Sequence, residues 1–205
     1  LALCALLWGT SLFAGATIEG VVSKASGAKL PAPNGRYRPT VDPIGKPDPI
    51  RAIVYLVGNF PKTNATEKVV EVGQRHYQFR PGILAIQKGT QVSFPNYDNE
   101  FHNVLSYSKP KRFDLGNFRK DEKPPLQSFD KVGKVDLFCD IHAHMRGTIL
   151  VLDTPYFTST DPETGAYRLE NLPPGQYKLK MWLEEREDER TVDLKDGATL
   201  TVDFK

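Results

Sequence analysis

A thiol, two imidazoles and a thioether are spaced so that one metal ion could bind all four. Cys139, His142 and Met145 follow one another at intervals of three residues, directly after an apolar run typical of a β-strand. His102 lies earlier in the chain, where a polar turn passes into a second apolar segment. Soft sulfur ligands favour Cu(I), and imidazole binds copper in both oxidation states. The set therefore predicts one blue-copper type of site, with a weak axial thioether.

Other polar side chains near these four leave the fourth ligand open. His144 could compete with Met145 for the metal, and Asp98 and Glu100 are possible oxygen ligands of a site without blue-copper character. For both carboxylates the favoured interpretation is a solvated turn, and for His144 it is a surface or supporting position. His76 lies outside the pattern and is expected to be exposed to solvent.

The composition excludes several other kinds of site. With 27 Lys and Arg against 25 Asp and Glu, the 205-residue chain has a net charge of +2, which does not favour nucleic-acid binding. Two cysteines exclude a disulfide scaffold and a four-thiolate zinc or iron–sulfur site. Four histidines are too few for a trinuclear copper cluster beside the predicted site. The sequence contains no phosphate-binding loop, nucleophile elbow or zinc-protease helix motif.

Residues 1–16 have the character of a signal peptide. The segment carries no charge, is shorter than a membrane-spanning helix requires, and ends in the small-residue pattern Ala14-Gly15-Ala16. An uncleaved anchor and a buried core helix are the alternatives. Cleavage before Thr17 would remove Cys4 and leave Cys139 as the last thiol, in a protein without a transmembrane segment that is periplasmic or secreted.

The elements that must position the site are β-strands. Short alternating or apolar runs recur between Gly, Pro, Asn and Asp residues, a pattern typical of an all-β sandwich. Residues 28–50 are rich in proline and are expected to form a long loop. The predicted strands are 17–23, 51–57, 83–86, 91–94, 126–129, 134–138, 148–152, 167–169, 177–183, 190–194 and 199–204.

Around the predicted ligands the sequence resembles the cupredoxins, in their plastocyanin and amicyanin branch. The resemblance covers about residues 70–153 and is carried by the Cys-x-x-His-x-x-Met spacing, by Phe79-Arg80-Pro81, by 86–94 and by Asn96. It implies a Greek-key β-sandwich. It also implies a copper site with His102, Cys139 and His142 as equatorial ligands and Met145 as the axial ligand. Asn103 would then brace the two ligand loops through a hydrogen bond.

The resemblance also implies a route for electrons. In this family electrons commonly pass through the exposed edge of the ligand-loop histidine, here His142, inside an apolar rim. Candidate rim residues are Ile141, Ala143, Met145 and Phe113. The neighbouring segment 109–123 contains six basic and three acidic residues and could steer an acidic partner, although a solvated loop is the favoured interpretation.

The segments on either side resemble the two halves of a second sandwich. Residues 161–169 and 171–179 look like the end of a carboxypeptidase-regulatory-like or transthyretin-like (prealbumin-like) sandwich, and 17–27 with 52–56 look like its beginning. We therefore expect a cupredoxin domain at 67–153, inserted in or flanked by a sandwich formed from 17–66 and 154–205. Tyr167, Tyr177 and Trp182 are expected to be core residues of that second sandwich.

Three functions are compatible with these features. The favoured one is single-electron transfer to or from a redox protein such as a c-type cytochrome or a dehydrogenase, without enzymatic activity. A second is a module that holds or delivers copper while the flanking sandwich binds a surface, glycan or protein. A third is an enzyme with a water-accessible copper, which requires that Met145 does not bind the metal.

Overall fold

The structure is a computed structural model that describes residues 14–23, 45, 48–60 and 68–205. Regular structure in these residues consists of β-strands, which confirms the all-β prediction. Among them there is no helix long and apolar enough to cross a membrane. Most of the predicted signal peptide, and of the proline-rich segment 28–50, lies outside the described residues.

Seven strands from both ends of the described chain form one sandwich, here called the flanking sandwich. They are β1 (Ala16–Val21), β2 (Ile53–Val57), β13 (Phe157–Ser159), β14 (Ala166–Leu172), β15 (Gly175–Leu183), β16 (Arg186–Leu194) and β17 (Thr199–Thr201). One sheet has the order β14-β1-β17 and the other β13-β2-β15-β16. Apolar side chains of both sheets form a common core, including Ile18, Leu56, Leu172 and Leu179.

The strands between β2 and β13 form the inserted sandwich. They are β3 (Val70–Glu71), β4 (Gly73–Gln74), β5 (Phe79–Arg80), β6 (Ile83–Gln87), β7 (Gln91–Ser93), β8 (His102–Ser106), β9 (Phe113–Phe118), β10 (Leu126–Ser128), β11 (Gly133–Phe138) and β12 (Arg146–Leu152). A five-stranded sheet, β6-β12-β11-β8-β9, is accompanied by the three-stranded sheet β10-β7-β3 and the pair β4-β5. The core between them includes Phe94, Val135, Leu137 and Ile149.

Strand β12 contributes to two cores because its side chains alternate between the two faces of the sheet. Ile149 and Val151 belong to the core of the inserted sandwich. Leu150 and Leu152 belong instead to a small buried cluster with Ile53 and Trp182 of the flanking sandwich. This cluster joins the two sandwiches at the carboxyl-terminal end of β12.

Each of the predicted strands overlaps an observed one, whereas β3, β4, β5, β8, β9 and β13 were not predicted. The basic segment 109–123, for which a solvated loop was favoured, contains β9. Phe113, predicted to lie at the rim of the metal site, pairs with Ser106 at the far end of β8 from His102. Its ring packs near Phe94 and Phe129 on the core, so its prediction as a rim residue is wrong.

Candidate metal centre

Two neighbouring strands bring the predicted ligands together. Cys139 directly follows β11, and His102 is the first residue of β8, which pairs with β11 in the five-stranded sheet. The chain then turns tightly, and the backbone N–H of Met145 donates a hydrogen bond of 2.8 Å to the carbonyl oxygen of His142. This turn brings His142 back beside Cys139 before β12 begins.

The side chains of His102, Cys139 and His142 form a buried cluster in which the three donor atoms lie within 4.8 Å of one another. The two Nδ1 atoms are 3.0 Å apart, and Nδ1 of His142 is 3.7 Å from Sγ of Cys139. Donors bound to one tetrahedral ion at about 2.0–2.3 Å are separated by roughly 3.3–3.7 Å. The His142–Cys139 separation lies at the upper end of this range, and the two imidazole nitrogens are slightly closer than it. The cluster therefore fits a single metal ion held by two imidazoles and one thiolate.

The environment of Cys139 favours the thiolate, which is the form that binds metals. Burial alone would raise the pKa of its thiol, but the neighbouring side chains of His102 and His142 and the backbone N–H of Asn103 outweigh that effect. Together they lower the pKa of Cys139 from 9.0 to about 6. The distance from the Asn103 nitrogen to Sγ is 3.5 Å.

We expect the thiolate of Cys139 in the metal-free protein to form at a lower pH than an ordinary cysteine. Because the pKa is lowered to about 6, the thiol predominates below that pH and the thiolate above it. A pH titration of the thiolate ultraviolet absorbance, with Cys139→Ser as the blank, measures the midpoint. A midpoint near 9 would show that the imidazole and backbone hydrogen bonds do not stabilise the thiolate.

Met145 and the two remaining histidines occupy different environments. The Met145 side chain is 1% exposed and belongs to the same core cluster as Cys139. His144 is half-buried and is not part of the three-residue donor cluster. Burial and the neighbouring His142 lower the pKa of His144. His76 is exposed, as predicted.

Asp98 has a more specific position than sequence reasoning favoured. A solvated turn was the preferred interpretation, but the side chain is 3% exposed. Its Oδ2 lies 2.9 Å from Nε2 of His102, on the side of that ring opposite the donor cluster. The backbone N–H groups of His76 and Tyr77 donate to the same carboxylate at 2.7 and 2.9 Å. The solvated interpretation is therefore wrong, and the carboxylate supports the imidazole of His102.

Tyr77 covers the cluster and was not predicted as part of the site. Its ring stands edge-on to His102 and His142, with centroid distances of 5.5 and 5.0 Å. The turn between β4 and β5 places it there, and both His76 and Tyr77 have positive φ angles, 53° and 58°. Non-glycine residues rarely adopt this conformation, and strained positions of this kind cluster at active sites and ligand-binding segments.

Two expectations about supporting residues need correction. His142 is 1% exposed, so the prediction of an exposed imidazole edge is wrong; the rings of Tyr77 and His144 lie against it. The side chain of Asn103 does not link the ligand loops, because it donates instead to Asp114 in β9 at 2.9 Å. The backbone N–H of Asn103 makes the contact with the thiol sulfur.

Comparison with solved structures gives similarities that cover about half of this chain. The Cu-containing nitrite reductase NirK from Thermus scotoductus SA-01 is 24% identical over 48% of this chain and 25% of its own, with a TM-score of 0.41. A mutant of amicyanin in its Cu(I) form is 18% identical over 48% of this chain and 98% of its own, with a TM-score of 0.39. Amicyanin from Paracoccus versutus is 23% identical over 48% and 97%, with a TM-score of 0.38. Neither a protein-family model nor a curated protein sequence matches the chain.

Proposed function

We propose that this protein is a type 1 copper protein that carries single electrons. The observation that carries the proposal is the buried cluster of His102, Cys139 and His142, whose donor atoms converge between two adjacent strands. In this assignment Met145 is the weak axial ligand. When bound, copper supplies a one-electron couple between Cu(II) and Cu(I), and a set of two imidazoles, one thiolate and one thioether is the donor set of blue-copper sites.

The protein would hold the four ligands rigidly and keep them away from solvent. His102 and Cys139 are attached to paired strands, and His142 and Met145 belong to a hydrogen-bonded turn between β11 and β12. Such a scaffold limits the movement of ligands between oxidation states. Four protein ligands leave no coordination position for a substrate, so electron transfer is favoured over catalysis at this site.

Electrons would enter and leave through the side chains that cover His142, which include His144. His144 is half-buried, and its ring centroid is 6.1 Å from that of His142. Nearby, Arg75 lies over the exposed ring of Tyr97, and Arg119 lies over that of Phe101. Both rings belong to the loop that leads into β8 and His102, so the surface of this loop combines aromatic rings with two arginines, and Tyr97 also donates a hydrogen bond to Glu71. This surface fits an acidic redox protein, such as a c-type cytochrome or a dehydrogenase.

The wider assignments follow from the predicted leader and from the two sandwiches. We assign residues 1–16 as a signal peptide, which makes the mature protein periplasmic or secreted. We assign 67–153 as the cupredoxin domain, and 17–66 with 154–205 as a carboxypeptidase-regulatory-like sandwich. The observation that supports this division is that β1 and β2 pair with strands that follow β12.

The second candidate function is copper holding or delivery, which the buried thiolate also permits because Cu(I) prefers soft ligands. Voltammetry of the copper-loaded mature protein distinguishes the two. An electron carrier gives a reversible one-electron couple with fast self-exchange and keeps its copper through repeated cycles. Release of copper on reduction would exclude the carrier function and favour delivery.

The axial role of Met145 can be tested against the only other methionine in the chain. Met145→Leu preserves the volume of the side chain but removes the sulfur, and loss of a donor destabilises Cu(II) more than Cu(I). We expect the visible band to remain and the reduction potential to rise. Met181, also 1% exposed, lies in the core of the flanking sandwich, so Met181→Leu is the matched control. Equal potentials in the two variants would remove Met145 from the ligand set.

A further inference from the structure

We propose that ionised Asp98 is a positioning residue for the metal site: it directs Nδ1 of His102 to the metal and its charge favours the oxidised form. This inference deepens the proposed function and depends on it. Asp98 is not one of the four ligands. Its buried carboxylate controls the orientation of one ligand, and it also influences the balance between Cu(II) and Cu(I).

The contacts of Asp98 fix the carboxylate from several directions. Oδ1 accepts a hydrogen bond from the backbone N–H of His76, and Oδ2 accepts one from that of Tyr77. The backbone N–H of Asp98 itself donates to Oδ1 of Asn96 at 2.9 Å. The side chain of Asn96 in turn donates to the backbone carbonyl of Phe118 in β9, at 2.9 Å. The carboxylate is therefore held by the turn before β5, and the backbone of the same residue is linked through Asn96 to β9.

This arrangement determines which nitrogen of His102 carries the proton. An ionised carboxylate can only accept hydrogen bonds, so Nε2 of His102 must be the donor in its 2.9 Å contact with Oδ2. In the neutral imidazole the proton on Nε2 leaves the lone pair on Nδ1. Nδ1 is the atom that faces His142 in the donor cluster. Asp98 thus presents the correct tautomer to the metal.

The backbone conformation of the turn before β5 supports the same interpretation. His76 and Tyr77 both adopt positive φ, and this conformation brings their consecutive N–H groups onto one carboxylate. Successive N–H groups that point in one direction form an anion-binding concavity. Here the anion is the side chain of Asp98, which keeps a buried negative charge next to the ligand sphere.

The sign of the electrostatic effect follows from the charges of the two oxidation states. Cu(II) carries one positive charge more than Cu(I), so a fixed anion hydrogen-bonded to a ligand stabilises Cu(II) more. Because Asp98 is buried, solvent and salt screen this charge less than a surface charge. Asp98 should therefore lower the reduction potential and raise the affinity for Cu(II) more than that for Cu(I).

The test compares Asp98→Asn with Asp140→Asn. Both substitutions remove one negative charge, but Asp140 is exposed and directly follows Cys139. Copper-loaded proteins are titrated by spectroelectrochemistry, and the affinities for Cu(II) and Cu(I) are measured separately. For Asp98→Asn we expect the visible band to persist, the potential to rise, and the Cu(II) affinity to fall by about 10–100-fold. Asp140→Asn should shift the potential much less.

Two results would overturn the role of Asp98 while leaving the copper assignment intact. One is an equal potential shift in both variants, each with an intact visible band. The other comes from side-chain nitrogen NMR of the metal-free wild-type protein, at a pH where His102 is neutral. A proton on Nε2 supports the proposal, and a proton on Nδ1 contradicts it, even if the Asp98 variant does not fold. A wild-type protein without a visible band would contradict the proposed function instead.

Discussion

Replacement of Cys139 by serine is expected to abolish the intense visible absorption of the copper-loaded protein. That absorption requires charge transfer from a thiolate to Cu(II), and a serine hydroxyl neither supplies sulfur nor ionises near neutral pH. The pKa of the Cys139 thiol is lowered to about 6, so the proposed thiolate ligand is available at pH 7. Copper affinity should fall by more than the roughly 10–100-fold typical of changes in residues that support a ligand.

The control for this experiment is His144→Ala. His144 lies two residues from His142 but outside the three-residue donor cluster, so its removal should leave the visible band in place. Circular dichroism establishes that each variant remains folded. A visible band that survives in Cys139→Ser, or disappears in His144→Ala, would show that a different set of side chains binds the metal.

Replacement of Trp182 by alanine is expected to have the largest effect on stability. Trp182 is buried, and it packs with Ile53, Leu150 and Leu152 in the cluster that joins the two sandwiches. Removal of a large buried aromatic side chain costs about 3–5 kcal/mol because it loses apolar contact and leaves a cavity. Denaturant unfolding of the metal-free protein should show a loss of that size in the free energy of unfolding.

Trp182→Ala should not change the geometry of the metal site. Leu152 lies at the opposite end of β12 from Arg146, and β12 is about 20 Å long at the usual rise per residue. The visible spectrum of copper-loaded Trp182→Ala should therefore match that of the wild type. Trp182→Phe, which retains most of the apolar surface, serves as the milder control. A loss of less than 1 kcal/mol in Trp182→Ala would mean that the joining cluster contributes little.

The residues of the donor cluster were predictable because their signals are local. Cys139 and His142 are three residues apart in one turn, and His102 begins a strand directly after a recognisable polar loop. Strands with regular alternation were predictable for the same reason. In β14, for example, Tyr167 and Leu169 are buried while Arg168 between them is exposed, which produces a clear period of two.

The parts that sequence reasoning missed depend on contacts between distant segments. Every residue of β8 is buried, so the strand shows no alternation, and β9 includes Gly116, a residue depleted in strands. The sequence around Asp98 is that of a solvated turn. The carboxylate is buried because the backbone N–H groups of His76 and Tyr77, from a distant turn, bind it. The burial of His142 likewise depends on Tyr77. Tyr77 lies in the turn between β4 and β5, and these strands are too short to produce a recognisable alternation in the sequence.

In the proposed function, Cys139 binds copper together with His102 and His142. The most direct test is to load the purified protein with one equivalent of Cu(II) and record its visible and electron paramagnetic resonance spectra. We expect an intense thiolate-to-copper band and the resonance of a type 1 centre. A colourless protein with the resonance of ordinary Cu(II) bound to nitrogen and oxygen would contradict it.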